Sequence, residues 1–109
     1  MGIGTTANPS YKLSVNGNIR SKEVVVEIGW ADYVFNEKYK LTPLDEVEKF
    51  IRQNKHLPNI PSAAEVEKNG LNLGDIQKKM MEKIEELTLY ILEANKKIEK
   101  LQQLVREKK

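Results

Sequence analysis

The stretch that decides the fold is MMEKIEELTLYILEANKKIEKLQQLV, residues 80–105. In it Met80, Ile84, Leu87, Ile91, Ala94, Ile98, Leu101 and Val105 recur at alternating spacings of four and three. That is a heptad seam, with Ile84, Ile91, Ile98 and Val105 at a and Met80, Leu87, Ala94 and Leu101 at d. No glycine or proline follows Gly74, so one helix is expected from about Leu73 to the end, roughly 50 Å long at 1.5 Å per residue. A periodic helix of this length without internal stops implies partner helices. Upstream, Leu73, Ile76, Met80 and Ile84 are spaced three, four and four, which locally relaxes a left-handed supercoil. Met81, Leu89, Tyr90, Leu92 and Leu104 lie off the seam. The first half of the helix therefore carries a wider apolar surface than a two-stranded zipper covers. It should pack on a small globular part first, then run free as a coiled coil.

The seam leaves the copy number open. Isoleucine or valine at a with leucine at d favours two strands. The extra apolar width at Met81, Tyr90 and Leu104, which are e and g positions, favours three or more. The facing pairs Lys83 with Thr88 and Lys97 with Gln102 supply no salt bridges to choose a partner.

Just upstream, residues 42–72 read as two short helices joined by a stiff linker. Thr42 is suited to be an N-cap, Pro43 to be the first helical residue, and Asp45 makes a near capping box. Leu44, Val47, Phe50 and Ile51 then share one face. LPNIP, residues 57–61, cannot be helical, because each proline also pushes its predecessor away from helical geometry. Ser62 with Glu65 is a second capping box, opening a helix of about two turns that ends at Asn69-Gly70.

Residues 29–41, GWADYVFNEKYKL, hold Trp30, Tyr33, Phe35 and Tyr39, four of the seven large aromatic side chains. Such a group can form a stacking platform for sugars or bases. The plainer expectation is that it caps the strands and packs against helix. Residues 1–28 differ again, with Gly2, Gly4, Gly17, Pro9 and the Asn16-Gly17 pair suited to tight turns. Leu13 and Val15 alternate with Lys12 and Ser14, and Val24, Val26 and Ile28 with Glu23, Val25 and Glu27, which argues strands split by a turn. Two short strands with no third would be marginal alone, and strands from other copies of the chain would complete them.

Composition agrees with a chain that needs company. The 109 residues are 31% charged and 39% hydrophobic, little apolar material for a monomer of this size. There is no cysteine, which excludes disulfides and thiolate metal sites. No stretch is long and apolar enough for a membrane span or a secretory signal core. Met1-Gly2 leading directly into strand-like sequence reads as a piece of a longer protein, with any targeting signal upstream. The net charge of +2 does not point to nucleic acid, because the basic residues of the long helix are interleaved with acidic ones and read as a solvated face. Catalytic motifs are missing. The single histidine, His56, stands beside a helix end where a satisfied or solvent-facing role is expected. Zinc, calcium and P-loop patterns do not occur, and Gly2-Ile3-Gly4 lacks the third glycine and the helix of a dinucleotide site. No cofactor and no metal is expected.

GIGTTANPSYKLSVNGNIRSKEVVVE, beginning at Gly2, resembles the glycine-punctuated repeats of trimeric phage and bacterial fibre shafts, where GIGT, NP and L-x-V-x-G-x-I recur. WADYVF, YKLTPLDEVEKFI, NKHLPNIPSAAEVEKNGLNLGDIQ and KIEELTLYILE resemble the tail-fibre end domain at the C-terminus of such proteins. That domain is similar in layout to the endosialidase-type intramolecular chaperone. The resemblance implies an α+β homotrimer in three regions. These are a β-strand shaft stub at 1–28, an aromatic connector with two short helices at 29–72, and a long helix at 73–109 forming a parallel trimeric coiled coil. It implies an assembly module, not an enzyme, in a virion tail fibre or a cell-surface fibre. A receptor-binding tip is the alternative, with Trp30, Tyr33, Phe35 and Tyr39 holding a host-surface glycan or protein. In self-cleaving chaperones of this kind a serine followed by aspartate cuts the chain at the shaft boundary. Ser21 stands at that boundary, but Lys22 replaces the aspartate, and adjacent strand residues point to opposite faces. A self-cleaving autoprotease acting through Ser21 is thus the third and least favoured reading, and an ordinary strand-entry role is expected.

Overall fold

The computed structural model describes residues 1–30 and 33–108. Ala31 and Asp32, in the middle of the WADYVF string, and Lys109 lie outside the described residues. The element order is β1 (Gly2–Ile3), β2 (Ser14–Val15), α1 (Leu44–Asn54), α2 (Ala63–Asn69) and α3 (Leu73–Glu107). The architecture is α+β and elongated, 75 × 31 × 27 Å. Its radius of gyration is 20.9 Å, against about 13 Å for a compact domain of ~100 residues. The length comes from α3, whose 35 residues run uninterrupted because nothing after Gly74 breaks a helix.

The local signals act much as the sequence suggests in α2 and α3. Ser62 is extended (φ −73°, ψ 162°) and its side chain accepts the Glu65 N–H at 3.2 Å. The Ser62 hydroxyl also donates to the Glu65 carboxylate at 3.2 Å, so the two residues of the box are joined side chain to side chain as well. Gly70, with φ 74°, ends α2. Asn72 precedes α3 and Asp75 sits in its first turn, where the helix dipole favours an anion. The proline linker makes a tight turn, with the Ile60 N–H donating to the Leu57 carbonyl at 3.2 Å.

Two expectations are corrected. Thr42 does not cap α1. Pro43 (φ −56°, ψ 142°) occupies the cap position with no side-chain bond, and the Thr42 carbonyl instead accepts the Tyr90 hydroxyl. A tertiary bond across 48 residues outweighs the local cap. The strands also differ. Only Ser14–Val15 of the alternating segments joins a ladder, and its partner is Gly2–Ile3 in parallel register, Gly2 opposite Ser14 and Ile3 opposite Val15. The flanking bonds Ser14 N–H to Met1 carbonyl and Asn16 N–H to Ile3 carbonyl are both 2.9 Å. Gly4, with φ +69°, turns the chain away where a Cβ would lie 3.0 Å from the Asn16 carbonyl. Val24–Ile28 forms no ladder within one chain.

The hydrophobic core of the single chain, among the described residues, is Val34, 2% exposed. The accessible surface is 10027 Å², whereas size scaling gives about 6,200 Å² for a compact monomer of this mass. Roughly 3,800 Å² is therefore open that a compact fold of equal mass would hide. Almost every large apolar side chain of α3 contributes to it.

Candidate functional site: the two sides of the terminal helix

The two sides of α3 differ in what covers them. Between Glu82 and Lys97, residues 33–45 and α1 lie over heptad positions b, c, f and g, while the a and d edge is left open except where Leu87 faces α1. The overlay begins at Tyr33, whose hydroxyl donates to Glu82 at position f. Val34, Phe35 and Tyr39 then lie over Leu89 (f) and Leu92 (b). Near Thr42 the overlay reaches Tyr90 (g), whose hydroxyl donates to the Thr42 carbonyl. From there α1 runs back beside Lys83, Glu86 and Leu87, facing them with Leu44, Val47 and Ile51. The sequence thus lays its connector along the helix and folds its first short helix back over the same side.

The overlay is fastened by polar groups. Glu86, at position c, is only 8% exposed. Lys83 is 3.0 Å from it and 4.0 Å from Glu82. The Tyr33 and Tyr39 rings stand 5.8 Å apart, tilted by 43°, above these two carboxylates. The hydrogen bond to Glu82, then partial burial, then nearby carboxylate charge push the Tyr33 hydroxyl up to about 12. Burial, followed by the charges of Glu86 and Glu82, raises Tyr39 as well. Burial, with Glu86 and Glu93 close by, raises Tyr90. All three shifts favour the neutral phenol, which can donate to a carboxylate or carbonyl. Every buried side-chain nitrogen and oxygen among the described residues has a partner. Sequence reasoning missed this cluster, because Glu82 and Glu86 read as solvated helix charge and no spacing rule links them to tyrosines more than 40 residues away.

The seam residues are all exposed in the single chain. Met80, Ile84, Leu87, Ile91, Ala94, Ile98, Leu101 and Val105 form a continuous apolar stripe, with Ile91 67% exposed. One helix edge thus carries the whole series, as the heptad reading requires, and the intramolecular overlay reaches it only at Leu87. Gly74 marks a further contact at the start of the helix. It is buried, and a Cβ there would come within 2.6 Å of Val26 Cγ1 and 3.0 Å of Ile28 Cγ2. The Val24–Ile28 segment therefore reaches the first turn of α3.

The aromatic group does not form one platform. Tyr33 and Tyr39 turn onto α3, whereas Trp30 and Phe35 are 54% and 59% exposed. The aromatic pairs among the described residues are Tyr33 with Tyr39 and Phe50 with His56. His56 stacks edge-on against Phe50, ring centroids 5.4 Å apart, and its Nδ1 is 2.9 Å from the Leu57 carbonyl. The histidine is thus engaged structurally, as expected. Ser21 and Lys22 are both exposed, so no desolvated pocket surrounds the hydroxyl. Among the described residues no cluster of three potential metal ligands occurs, and no helix is long and apolar enough to cross a membrane.

No protein-family model matches the chain, and neither a curated protein nor a solved structure shows significant similarity to it.

Proposed function

We propose that the chain is an assembly module, the C-terminal trimerisation and intramolecular-chaperone domain of a tail-fibre-like protein. It would belong to a virion tail fibre or an extracellular fibre. One observation carries the proposal. Eight apolar seam residues stand open along α3, and the rest of the chain reaches that stripe only at Leu87. A finished monomer would not leave that stripe in water, and roughly 3,800 Å² of surplus surface is far more than the ~800 Å² a partner contributes to an ordinary interface. The shaft resemblance of residues 1–28 and the apolar width of α3 favour three copies over two.

The mechanism follows from where the energy lies. Shaft strands must find partners in register before any ladder energy is recovered, and a wrong register exposes the wrong face. A parallel seam holds three chains together at high effective concentration. The contact of Val26 and Ile28 with Gly74 would transmit the register of α3 to the strand segment. A distal binding tip is the second reading, favoured by the exposure of Trp30 and Phe35. Tyr33 and Tyr39 are occupied by α3 and would serve it less well.

Light scattering tests the assembly, with three times the 12.5 kDa chain mass as the expected result. A monomer at micromolar concentration would sink the proposal, and a clean dimer would sink the copy number. The chaperone role is tested by exchanging residues 97–109, beyond most of the overlay, for an unrelated coiled coil. A parallel trimeric replacement should preserve a soluble trimer and a parallel dimeric one should not.

A further inference from the structure

Between α1 and α3 lies an apolar cleft of about 240 Å³, walled by Leu44, Val47 and Ile51 on one side and Leu87 on the other. Leu87 is also a d residue, so the cleft opens directly onto the seam. On the α3 side Lys83 and Tyr90, both at g, stand between Leu87 at d and Glu86 at c. The cleft therefore lies along the g edge of the helix. In a parallel coiled coil the g edge of each helix faces the e edge of its neighbour.

The e edge of α3 has an unusual composition. Its residues are Gly74, Met81, Thr88, Asn95 and Gln102, all uncharged, in a chain whose residues are 31% charged. Gly74 is buried beneath Val26 and Ile28, but Met81, Thr88, Asn95 and Gln102 are exposed in the single chain. Lysine and glutamate occupy the other polar positions freely, so a solvent-facing edge has no need to avoid them. Thr88 is moreover satisfied within its own helix, its Oγ1 donating to the Ile84 carbonyl at 2.9 Å. It can be covered by apolar surface without stranding a donor.

From these two edges we infer that the cleft beside α1 receives the e edge of α3 from a second copy of the chain, centred on Thr88. This rests on the parallel assembly proposed above and adds to it an interchain role for α1. In register, position 83 of one helix faces position 88 of the next, which brings Thr88 to the level of the cleft. Each chain would then give an e edge to one neighbour and a cleft to the other, a head-to-tail contact that closes in a three-fold ring. The small head would be completed between chains rather than within one, which accounts for the exposure of Leu44, Ile51 and Leu57.

The absence of cysteine makes the test direct. Ile51→Cys and Thr88→Cys chains are refolded as an equimolar mixture and treated with a short bifunctional thiol cross-linker, with light scattering on the same samples. A covalent dimer containing one chain of each kind, with little product from either chain alone, is the expected result. An intact trimer without mixed product overturns the inference while leaving the assembly proposal standing. A monomer removes both. Cross-linking of Thr88→Cys to itself as the dominant product also overturns it, since e edges would then face one another.

Thr88→Lys supplies a second readout. Thr88 is exposed in the single chain, so the variant has no intrachain reason to misfold. The new ammonium, set at the cleft rim against Lys83 of the neighbouring copy with no partner, should raise the assembly's dissociation constant at least tenfold. An unchanged constant would overturn the contact.

Discussion

The side of α3 that the chain covers for itself and the side it leaves open are built from different chemistry. The covered side contains few large apolar residues, Leu89 and Leu92 among them, and is fastened by directional bonds from Tyr33 to Glu82 and from Tyr90 to the Thr42 carbonyl. The open side has no ionisable residue at any of its eight seam positions. Directional bonds fix one connector in one place on one helix. An uninterrupted apolar stripe supplies strength but little discrimination, which suits identical copies already tied to a common shaft. The difference teaches that intrachain docking here is specified by polar groups and interchain docking by periodicity.

The largest expected effect comes from breaking the open side. Ile91→Asp places one carboxylate per chain in the seam, unpaired, at a cost of several kcal/mol per copy. The assembly should fall to monomers by light scattering at micromolar concentration. In the single chain Ile91 touches water, so the Tyr33 and Tyr90 contacts should survive. Retention of the native mass and melting temperature would mean that the seam register is wrong.

The covered side should break separately and at smaller cost. Tyr33→Phe removes a bond to a charged acceptor that is only half-buried, worth about 1–2 kcal/mol. Residues 33–42 should become more sensitive to limited proteolysis while the mass stays unchanged. High pH should act in the same way. The Tyr33 hydroxyl is raised from 10.0 to about 12 in the folded chain, so folding holds its proton more tightly than the unfolded chain does. The stabilisation is fully present below pH 10 and disappears as pH rises through about 12. Near-ultraviolet circular dichroism of the Tyr33–Tyr39 pair should record the release in that window, and a Tyr33→Phe/Tyr39→Phe chain should lack the step.

Where the two kinds of contact meet, at Gly74, opposing terms nearly cancel. Gly74→Ala improves helix propensity by about 1 kcal/mol. The new methyl would crowd Val26 Cγ1 at 2.6 Å, and such overpacking costs about 1–3 kcal/mol. The melting temperature should hold or fall slightly, with the methyl resonances of Val26 and Ile28 displaced. A clear rise in melting temperature with those resonances unmoved would show that the strand segment does not rest on α3.

What was legible in the sequence follows the same division. Periodicity gave α3 from Leu73, and short-range capping gave α2 from Ser62, because each depends on residues within a turn of one another. The break at LPNIP was equally local. Thr42 was misread because its carbonyl answers to Tyr90, and the Tyr33–Glu82 bond left no trace in any window. Val24–Ile28 alternates as a strand should, yet finds no ladder inside one chain. Val34 is the buried core residue, and its flanks offer no pattern that marks it. Local codes were readable, and contacts closed across 40 or more residues were not.

The smallest effect is expected at Lys97, and it bears on the direction of the helices. Lys97 is a g residue, exposed and beyond the Tyr33–Glu86 cluster. In a parallel seam it faces Gln102 of the neighbour, an uncharged partner, so Lys97→Ala loses at most a solvent-screened hydrogen bond. Exposed polar pairs of this kind contribute about 0–1 kcal/mol, and the dissociation constant should move by less than about fivefold. In an antiparallel arrangement the g edge would face another g edge, where Lys83, Tyr90 and Lys97 would be neighbours across the seam. Removing one lysine from such a like-charged edge would tighten the assembly, most clearly at low ionic strength where screening is weakest. A Lys97→Ala chain that associates distinctly more tightly at low salt, and no differently at high salt, would therefore reverse the assigned direction of the helices. It would also move the e edge away from the α1 cleft.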